Sequence, residues 1–491
     1  MTQSYIGNKG YTIFKSNYSV KELQQIRDEL TVKPHSSHNT YVKSFPIYRE
    51  SDKKLYIPRY YGLNKYKDVT VENKLSKGID INLKFKGLLY EYQHNIINKY
   101  IKHVTKHGTG GGLLDVEPGK GKTVMALNII SIIKKKTLVV VHKEFLMDQW
   151  KERIQFFLPD AKVGKIQGEV YDIEDKDIVL CMLQTVSTKT YSSQMWSQFG
   201  LTVYDECHRL GAEVFSNVMV NNTCNHNLGL SGTMTRKDGL SKVFKWFLGP
   251  VIHKEASDKS VNVNVKVIEY TNDELFKDIP VDFMGRILYS SLISKLCECK
   301  ERTNILINII QNELKLNYNQ QIMVLGHNRN LLEDIFDGVS KFEKSVGYYL
   351  GGMKRKDLAL SENKKVIIAT YSMASEGLDI KTLTTLLMAT PKSDVCQSVG
   401  RILRSKHDNP IVIDVVDNFH ILKKQYVKRL NYYNKKRFKI LNFKNFEKYI
   451  KEESTIKNTN NKINNNYSND NDYSNDNDDN DILSKPGICL L

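Results

Sequence analysis

Leu113-Leu114-Asp115-Val116-Glu117-Pro118-Gly119-Lys120-Gly121-Lys122-Thr123 is the stretch on which the reading of this chain turns. An apolar strand runs into a turn with two glycines and two lysines, and a helix-like segment, Val124 to Ile133, follows. Gly119 and Gly121 let backbone N–H groups close round phosphate oxygens, and the helix N-terminus adds the positive end of its dipole. Lys122 is then expected to reach the β and γ phosphates and the Thr123 hydroxyl to ligate Mg²⁺, with Glu117, Pro118 and Lys120 completing the loop. Val116 stands where this pattern ordinarily has its first glycine.

Outward from the loop, Thr202-Val203-Tyr204-Asp205-Glu206-Cys207-His208 again ends an apolar strand, this time in paired acids. Two carboxylates there can divide the work: Asp205 holds Mg²⁺, usually through water, and Glu206 polarises the attacking water as general base. Taken alone, an Asp-Glu pair is as well explained by a solvated acidic turn. In this order and context the catalytic reading is the stronger.

Short β-branched runs alternating with helical patterns predict parallel sheets with crossover helices. In a first block, residues 86–256, strands are expected at Gly112–Val116, Thr137–Val141, Asp177–Met182, Leu201–Tyr204 and Asn227–Leu230. In a second, residues 302–451, they are expected at Gln321–Leu325, Val366–Ala369, Thr384–Met388 and Pro410–Val415. The expected fold is therefore α/β, two tandem parallel-sheet lobes. Residues 257–301 form a connector with the first elements of the second lobe, and residues 1–85, rich in Tyr and Lys, form a small N-terminal accessory domain. Residues 452–491 form a low-complexity tail in which Tyr-Ser-Asn-Asp-Asn-Asp occurs twice, at Tyr467–Asp472 and Tyr473–Asp478; such a segment buries too little apolar surface to offset its ordering entropy, and disorder is expected.

Lys plus Arg number 72 against 55 Asp plus Glu, a net charge of +17 across 491 residues. That balance suits a polyanionic partner. No run of about 18 uncharged apolar residues is present to span a membrane, and Met1–Gly10 lacks the apolar core of a signal peptide. Seven scattered cysteines read as reduced thiols, and Cys297 and Cys299, the one close pair, have no second pair or His cluster to make a zinc site.

Gly-Lys-Gly-Lys-Thr, then Asp-Glu-Cys-His, then Ser231-Gly232-Thr233 resembles the DExH group of superfamily 2 helicases. The resemblance implies two RecA-like lobes, ATP and Mg²⁺ as cofactors, and hydrolysis at the interface between the lobes. Ser231 and Thr233 would couple hydrolysis to lobe movement, and His208 would sense the γ-phosphate through a partner residue. Leu88 to Gln93 resembles the segment whose glutamine reads adenine, and Gln93 has the amide for it. In the second block Gln397-Ser398-Val399-Gly400-Arg401-Ile402-Leu403-Arg404 resembles the family's Gln-x-x-Gly-Arg-x-x-Arg helix. Arg401 and Arg404, three apart, lie on one helical face; they would deliver guanidinium charge to the transition state on closure, with Gln397 beside His208 or the water. The run Ala369 to Asp379 resembles the motif touching both strand and nucleotide, through Thr370 to the strand and Gly377 and Asp379 to the nucleotide. Phosphate contacts fall by the same resemblance on His142, Lys143 and Thr185 in the first lobe and His327, Arg329 and Thr370 in the second.

Thr233 to Asp238 followed by Phe247-Leu248-Gly249-Pro250 is similar to the XPB-type branch, and Gly347 to Met353 through Thr390-Pro391-Lys392 resembles the transcript-release helicases of poxviruses and related large DNA viruses. This implies 3′ to 5′ movement on DNA in transcription elongation or termination, a viral RNA polymerase or transcription factor as partner, and a place in the host cytoplasm or the virion. An RNA helicase of the DEAH or Ski2 kind is the first alternative; those usually carry large helical domains after the second lobe, and fewer than about ninety residues follow Arg404 here. An ATP-gated clamp that separates no strands is the second. From Lys423 to Lys451, lysines and arginines interleave with Tyr426, Tyr432, Tyr433, Phe438, Phe443 and Phe446. They could stack bases, but packing of a terminal helix on its own lobe is the favoured reading.

Overall fold

A computed structural model describes residues 4–35, 43–67, 71–106, 110–117, 119–211, 213–221, 224–236, 238–255, 262–375, 380–403, 407 and 409–453. They divide into two compact units, the break falling between residues 256 and 257.

The first unit is built on an eight-stranded sheet in the order Val170–Asp172, Val163–Gln167, Ile178–Met182, Thr137–Val141, Leu201–Asp205, His226–Ser231, Gly110–Asp115, Val251–Lys254. All pairings are parallel except that of the two leading strands. Because successive side chains point to opposite faces, a strand covered on both sides must be apolar throughout. Thr137–Val141 shows this: Leu138 and Val140 enter one core, Val139 and Val141 the other. The helices Lys122–Ile133 and Glu144–Phe157 cover the second of these faces, through Met125, Ile129, Trp150 and Ile154.

The N-terminal segment folds as a separate five-stranded sheet in which Glu72–Asn73 is the only parallel partner. Its apolar side, Ile6, Tyr11, Ile13, Leu55 and Ile57, shares one continuous core with Leu138, Val179 and Phe244 of the large sheet and its helices. Arg59 fastens the junction. It is 3% exposed, and its guanidinium donates to the carbonyls of Cys224 and Asn225, each at 3.1 Å. The segment is therefore packed as part of the first unit.

The second unit carries a seven-stranded, wholly parallel sheet in the order Val346–Tyr349, Val366–Thr370, Ile322–Gly326, Thr385–Met388, Ile411–Asp417, Asn264–Tyr270, Lys439–Phe443. The stretch expected as connector with the first elements of the second lobe supplies a strand, Asn264–Tyr270, and a helix, Tyr289–Glu298, to this unit. Asn264–Tyr270 escapes a hydrophobic pattern search because Lys266 sits in its middle; that lysine is 5% exposed and pairs with Glu313 at 2.7 Å and Glu453 at 3.0 Å. The aromatics of the basic run pack, as favoured: Tyr433 and Tyr449 are fully buried and Phe438 and Phe443 nearly so. The low-complexity tail lies outside the described residues. Both units are RecA-like parallel α/β layers. Among the described residues no helix is long and apolar enough to cross a membrane.

Candidate active site

In an open parallel sheet, ligands gather at the carboxyl ends of the strands, where loops leave toward the helices. In the first unit this edge receives the loop after Asp115, the acids after Tyr204, Ser231 and His142.

Gly119 and Gly121 both have positive φ, 84° and 76°, which an L side chain rarely adopts. Gly121 caps the helix Lys122–Ile133, so Lys122 and Thr123 occupy its first turn. The Lys122 ammonium donates to the Val116 carbonyl at 3.1 Å, while the Val116 N–H donates to the carbonyl of Ser231 at 3.0 Å. Glu255, which the sequence reading did not single out, braces the loop from the opposite side. Its carboxylate accepts from the Glu117 N–H at 2.9 Å and lies 3.8 Å from the Lys120 ammonium, and its own N–H donates to the Asp115 carbonyl at 2.9 Å. Pro118 lies outside the described residues. Gln93 reaches the loop but with its amide engaged: Nε2 donates to the Lys120 carbonyl at 3.3 Å, Oε1 accepts from the Tyr90 N–H at 3.0 Å, and the residue is 1% exposed. As it stands, Gln93 props the loop.

The paired acids are held differently from one another. Asp205 accepts from the indole N–H of Trp150 at 2.9 Å and, through its other oxygen, from the Glu206 N–H at 3.0 Å. Burial, then the adjacent Glu206 carboxylate, pushes Asp205 up to about 6. Glu206 is depressed instead: burial would raise it, but the hydrogen bond from His208 and the Lys122 charge outweigh that penalty. Glu206 also sits at φ 49°, a left-handed backbone for a residue with a side chain; strain of this kind costs of the order of 1 kcal/mol and persists where the surroundings fix it. The site therefore presents one carboxylate charged at neutral pH and a second that a cation would help to ionise. Among the described residues no group of three or more His, Cys, Asp or Glu is arranged to hold a metal ion by itself. Asp205 offers one carboxylate, and Thr123 in the first turn of the helix one hydroxyl, oxygen donors of the kind Mg²⁺ takes together with phosphate oxygens.

His208, Ser231 and Thr233, the residues expected to couple hydrolysis to movement, lie in one hydrogen-bonded network. His208 Nδ1 shares a hydrogen bond with the Ser231 hydroxyl at 2.8 Å and stands 3.3 Å from Glu206. The Ser231 hydroxyl donates to the Thr233 carbonyl at 2.7 Å and accepts the Thr233 N–H at 3.1 Å. Arg236, paired with Asp238, donates to the His208 carbonyl and so ties the network to the following loop. The strand-contact candidates are less uniform. Lys143 is half-buried at the head of the helix Glu144–Phe157. His142 is 9% exposed, and burial, then the Arg209 charge, holds it down to about 4, so it is neutral and turned inward. The Thr185 hydroxyl accepts the Gly168 N–H at 3.0 Å and is likewise largely buried.

The second unit's edge gathers Thr370, His327 and Arg329. His327 bonds Thr390 through both its N–H and its ring, at 3.1 and 2.8 Å, and Arg329 donates to the Gly351 carbonyl at 2.7 Å. The Thr370 hydroxyl, 3.2 Å from that of Ser372, remains open to solvent. Gln397 and Arg401 share the short helix Cys396–Ile402, with Gln397 half-buried and Arg401 5% exposed. Gly377, Asp379 and Arg404 lie outside the described residues.

A glycine-rich loop at a helix N-terminus, followed by Asp-Glu-x-His and a Ser-x-Thr strand end, all on one parallel-sheet edge, is the arrangement of an NTP-hydrolysing enzyme of the DExH type. The matching family model and the viral relatives agree. Residues 86–236 match the family described as type III restriction enzyme, res subunit. The chain is 33% identical over 460 residues to "Putative ATP-dependent RNA helicase L396" of Acanthamoeba polyphaga mimivirus, covering 91% of this chain and 86% of that one. It is 26% identical over 379 residues to "Putative ATP-dependent RNA helicase QP509L" of African swine fever virus (strain Badajoz 1971 Vero-adapted), covering 72% and 74%. Among solved structures, the Pyrococcus furiosus Hef helicase domain covers 69% of this chain and 97% of that one, at 16% identity and a TM-score of 0.47. The chain belongs to the superfamily 2 helicases related to those of large DNA viruses and is an ATP-dependent enzyme of that class.

Proposed function

We propose that this helicase moves 3′ to 5′ on DNA and acts with a viral RNA polymerase in transcription elongation, termination and transcript release. Hydrolysis rests on the first unit's residues, and the observation that carries this is the split pair Asp205 and Glu206 above Lys122. Thr123 and Asp205 are the donors for Mg²⁺, which supplies charge neutralisation at the phosphates when bound. Lys122, now on the Val116 carbonyl, would turn to the β and γ phosphates, and the loop's N–H groups would cradle them. Glu206, ionised at neutral pH, orients the attacking water and takes up its proton. His208, Ser231 and Thr233 carry the change in Glu206's surroundings toward Arg236. Arg401 and Arg404 of the second unit are assigned by resemblance to the transition-state charge, Gln397 to His208 or the attacking water, and Gly377 and Asp379 to the nucleotide; His142, Lys143, Thr185, His327, Arg329 and Thr370 are assigned by the same resemblance to the strand. Of these, Thr370 is supported by its open hydroxyl, whereas the burial of His142 favours a role beneath the contact surface.

The XPB-type motif run from Thr233 to Pro250 supports DNA as track. The names of the mimivirus and African swine fever virus relatives support a second reading, RNA. ATP hydrolysis measured with single-stranded DNA, duplex DNA and single-stranded RNA of equal length at one fixed salt concentration separates the two. Stimulation by DNA is expected; stimulation by RNA alone overturns the first reading in favour of the second. Strand displacement on 3′-tailed and 5′-tailed duplexes tests polarity and distinguishes a helicase from a clamp.

A further inference from the structure

Away from the sheet edge that carries the hydrolytic residues, the first unit has a cavity of about 600 Å³ between the N-terminal sheet and the segment Thr190–Phe199. Three cations line it, Lys9, Arg49 and Lys74, and among the described residues no carboxylate does. Lys9 stands in the two-residue turn of the hairpin that pairs Gly7 with Gly10, its ammonium 5.0 Å from the Tyr56 ring centre. Among the described residues neither Lys9 nor Arg49 has an acidic partner; Arg49 donates to a neutral amide, Asn221 Oδ1, at 2.6 Å. Only Lys74 is paired, with Glu72 at 2.9 Å, and both those side chains are half exposed.

The opposite wall is aromatic. Tyr191 and Trp196 meet edge to face at 5.8 Å, and Tyr171 stacks on Tyr191 at 5.7 Å with the rings 13° from parallel. Tyr171 itself is 50% exposed on the edge strand Val170–Asp172. An aromatic ladder ending in solvent on one side, faced on the other by three cations of which only Lys74 has an acidic partner among the described residues, is what an unpaired strand needs: stacking platforms for bases and positive charge for the backbone, with no reading of sequence. The wall is also continuous with the proposed strand path, since the helix Leu183–Thr188, which contains Thr185, leads directly into Thr190 and Tyr191.

We propose that this cavity is a second, ATP-independent binding site for single-stranded nucleic acid, with phosphates held by Lys9, Arg49 and Lys74 and bases stacked on Tyr191 in the lining and on Tyr171, which stacks on Tyr191 from outside the lining, the buried Trp196 backing them. The proposal rests on the reading of the protein as a nucleic-acid motor. It is tested on the full chain by fluorescence anisotropy with a labelled single-stranded oligonucleotide, and a duplex of the same length, between about 50 and 200 mM salt. The variants are Lys9→Glu with Lys74→Glu, and separately Tyr171→Ala, none of which touches the hydrolytic residues; ATP turnover without nucleic acid, unchanged in both, shows that they fold. The double charge reversal is expected to weaken single-strand binding about tenfold or more and to flatten the salt dependence by one or two phosphate contacts. Tyr171→Ala is expected to weaken it about fivefold or more at unchanged salt slope, as loss of one stacked base does. Wild-type affinity and slope in both variants, or losses confined to the duplex, overturn the proposal. A wild-type protein that binds no nucleic acid and is not stimulated by it defeats the motor reading itself, a distinct result.

Discussion

The two units carry similar parallel sheets and opposite electrostatic designs at their carboxyl edges. In the first, charges are left poised: Asp205 is raised, Glu206 is depressed on a left-handed backbone, and Lys122 is tethered by a carbonyl rather than by an acid. In the second, buried charges are locked in pairs. Arg302 grips Asp417 at 2.6 and 3.0 Å and donates to the Ala389 carbonyl, and Arg429 grips Asp414 at 2.8 and 2.9 Å and donates to the Lys392 carbonyl. Both clamps fasten the loop 389–392, whose Thr390 holds His327. The first edge leaves its buried charges open to a ligand, whereas the second uses its buried ion pairs to hold the loop 389–392 in shape.

If that contrast is right, single substitutions should separate activity from stability. The largest effect is expected from Lys122→Ala, with ATP hydrolysis falling by a factor of about 10³ or more as the phosphate charge goes unmet, at unchanged thermal stability. Turnover near wild type in a phosphate-release assay would remove the site assignment. Next, Arg429→Ala strands Asp414 in the core, and a loss of about 3–5 kcal/mol is expected in urea unfolding of the second unit. The paired change Arg429→Met with Asp414→Leu should cost much less. Equal cost from both would contradict the locked-pair account.

Smaller effects sharpen the first unit. Trp150→Phe removes the N–H on Asp205, a bond of about 1.5–3 kcal/mol to a charged group, and should lower turnover roughly tenfold; unchanged turnover would make Trp150 packing alone. Burial also holds His226 down to about 4, as it does His142. Unfolded histidine takes a proton near 6.5 while the folded ones refuse it until about 4. Their contribution is therefore whole above pH 6.5 and is lost as pH falls toward 4, by an amount of the order of 3 kcal/mol per histidine. His226→Phe should flatten the fall in unfolding free energy between those limits, and an unaltered pH slope would show that another group causes it.

The contrast also explains what could be read in the sequence. The poised edge follows strands that are apolar on both faces, so Thr137–Val141 was legible to the residue and Leu201–Asp205 and His226–Ser231 to within one at each end. The loop and acids are local patterns. What escaped is long-range. Trp150 meets Asp205 across 55 residues and Glu255 meets Glu117 across 138; neither partner carries a local mark, although an aromatic amid a helix and an acid ending a strand were available to notice. Val163–Gln167 alternates burial with glycine and lysine in place, and Asn264–Tyr270 hides a buried ion pair, so neither resembles an apolar run. Gln93, expected by resemblance to read adenine, lies against the phosphate loop with its amide committed to backbone groups, a contact its amide chemistry alone could not disclose.

The central claim is that Glu206 acts on water above a phosphate-binding loop in a nucleic-acid-stimulated cycle. It is tested most directly by Glu206→Gln, following ATP binding by a fluorescent nucleotide and hydrolysis by phosphate release, with and without single-stranded DNA. Retained binding with hydrolysis lowered by a factor of about 10² or more, no longer rescued by DNA, is predicted. DNA-stimulated hydrolysis at the wild-type rate in that variant would contradict it.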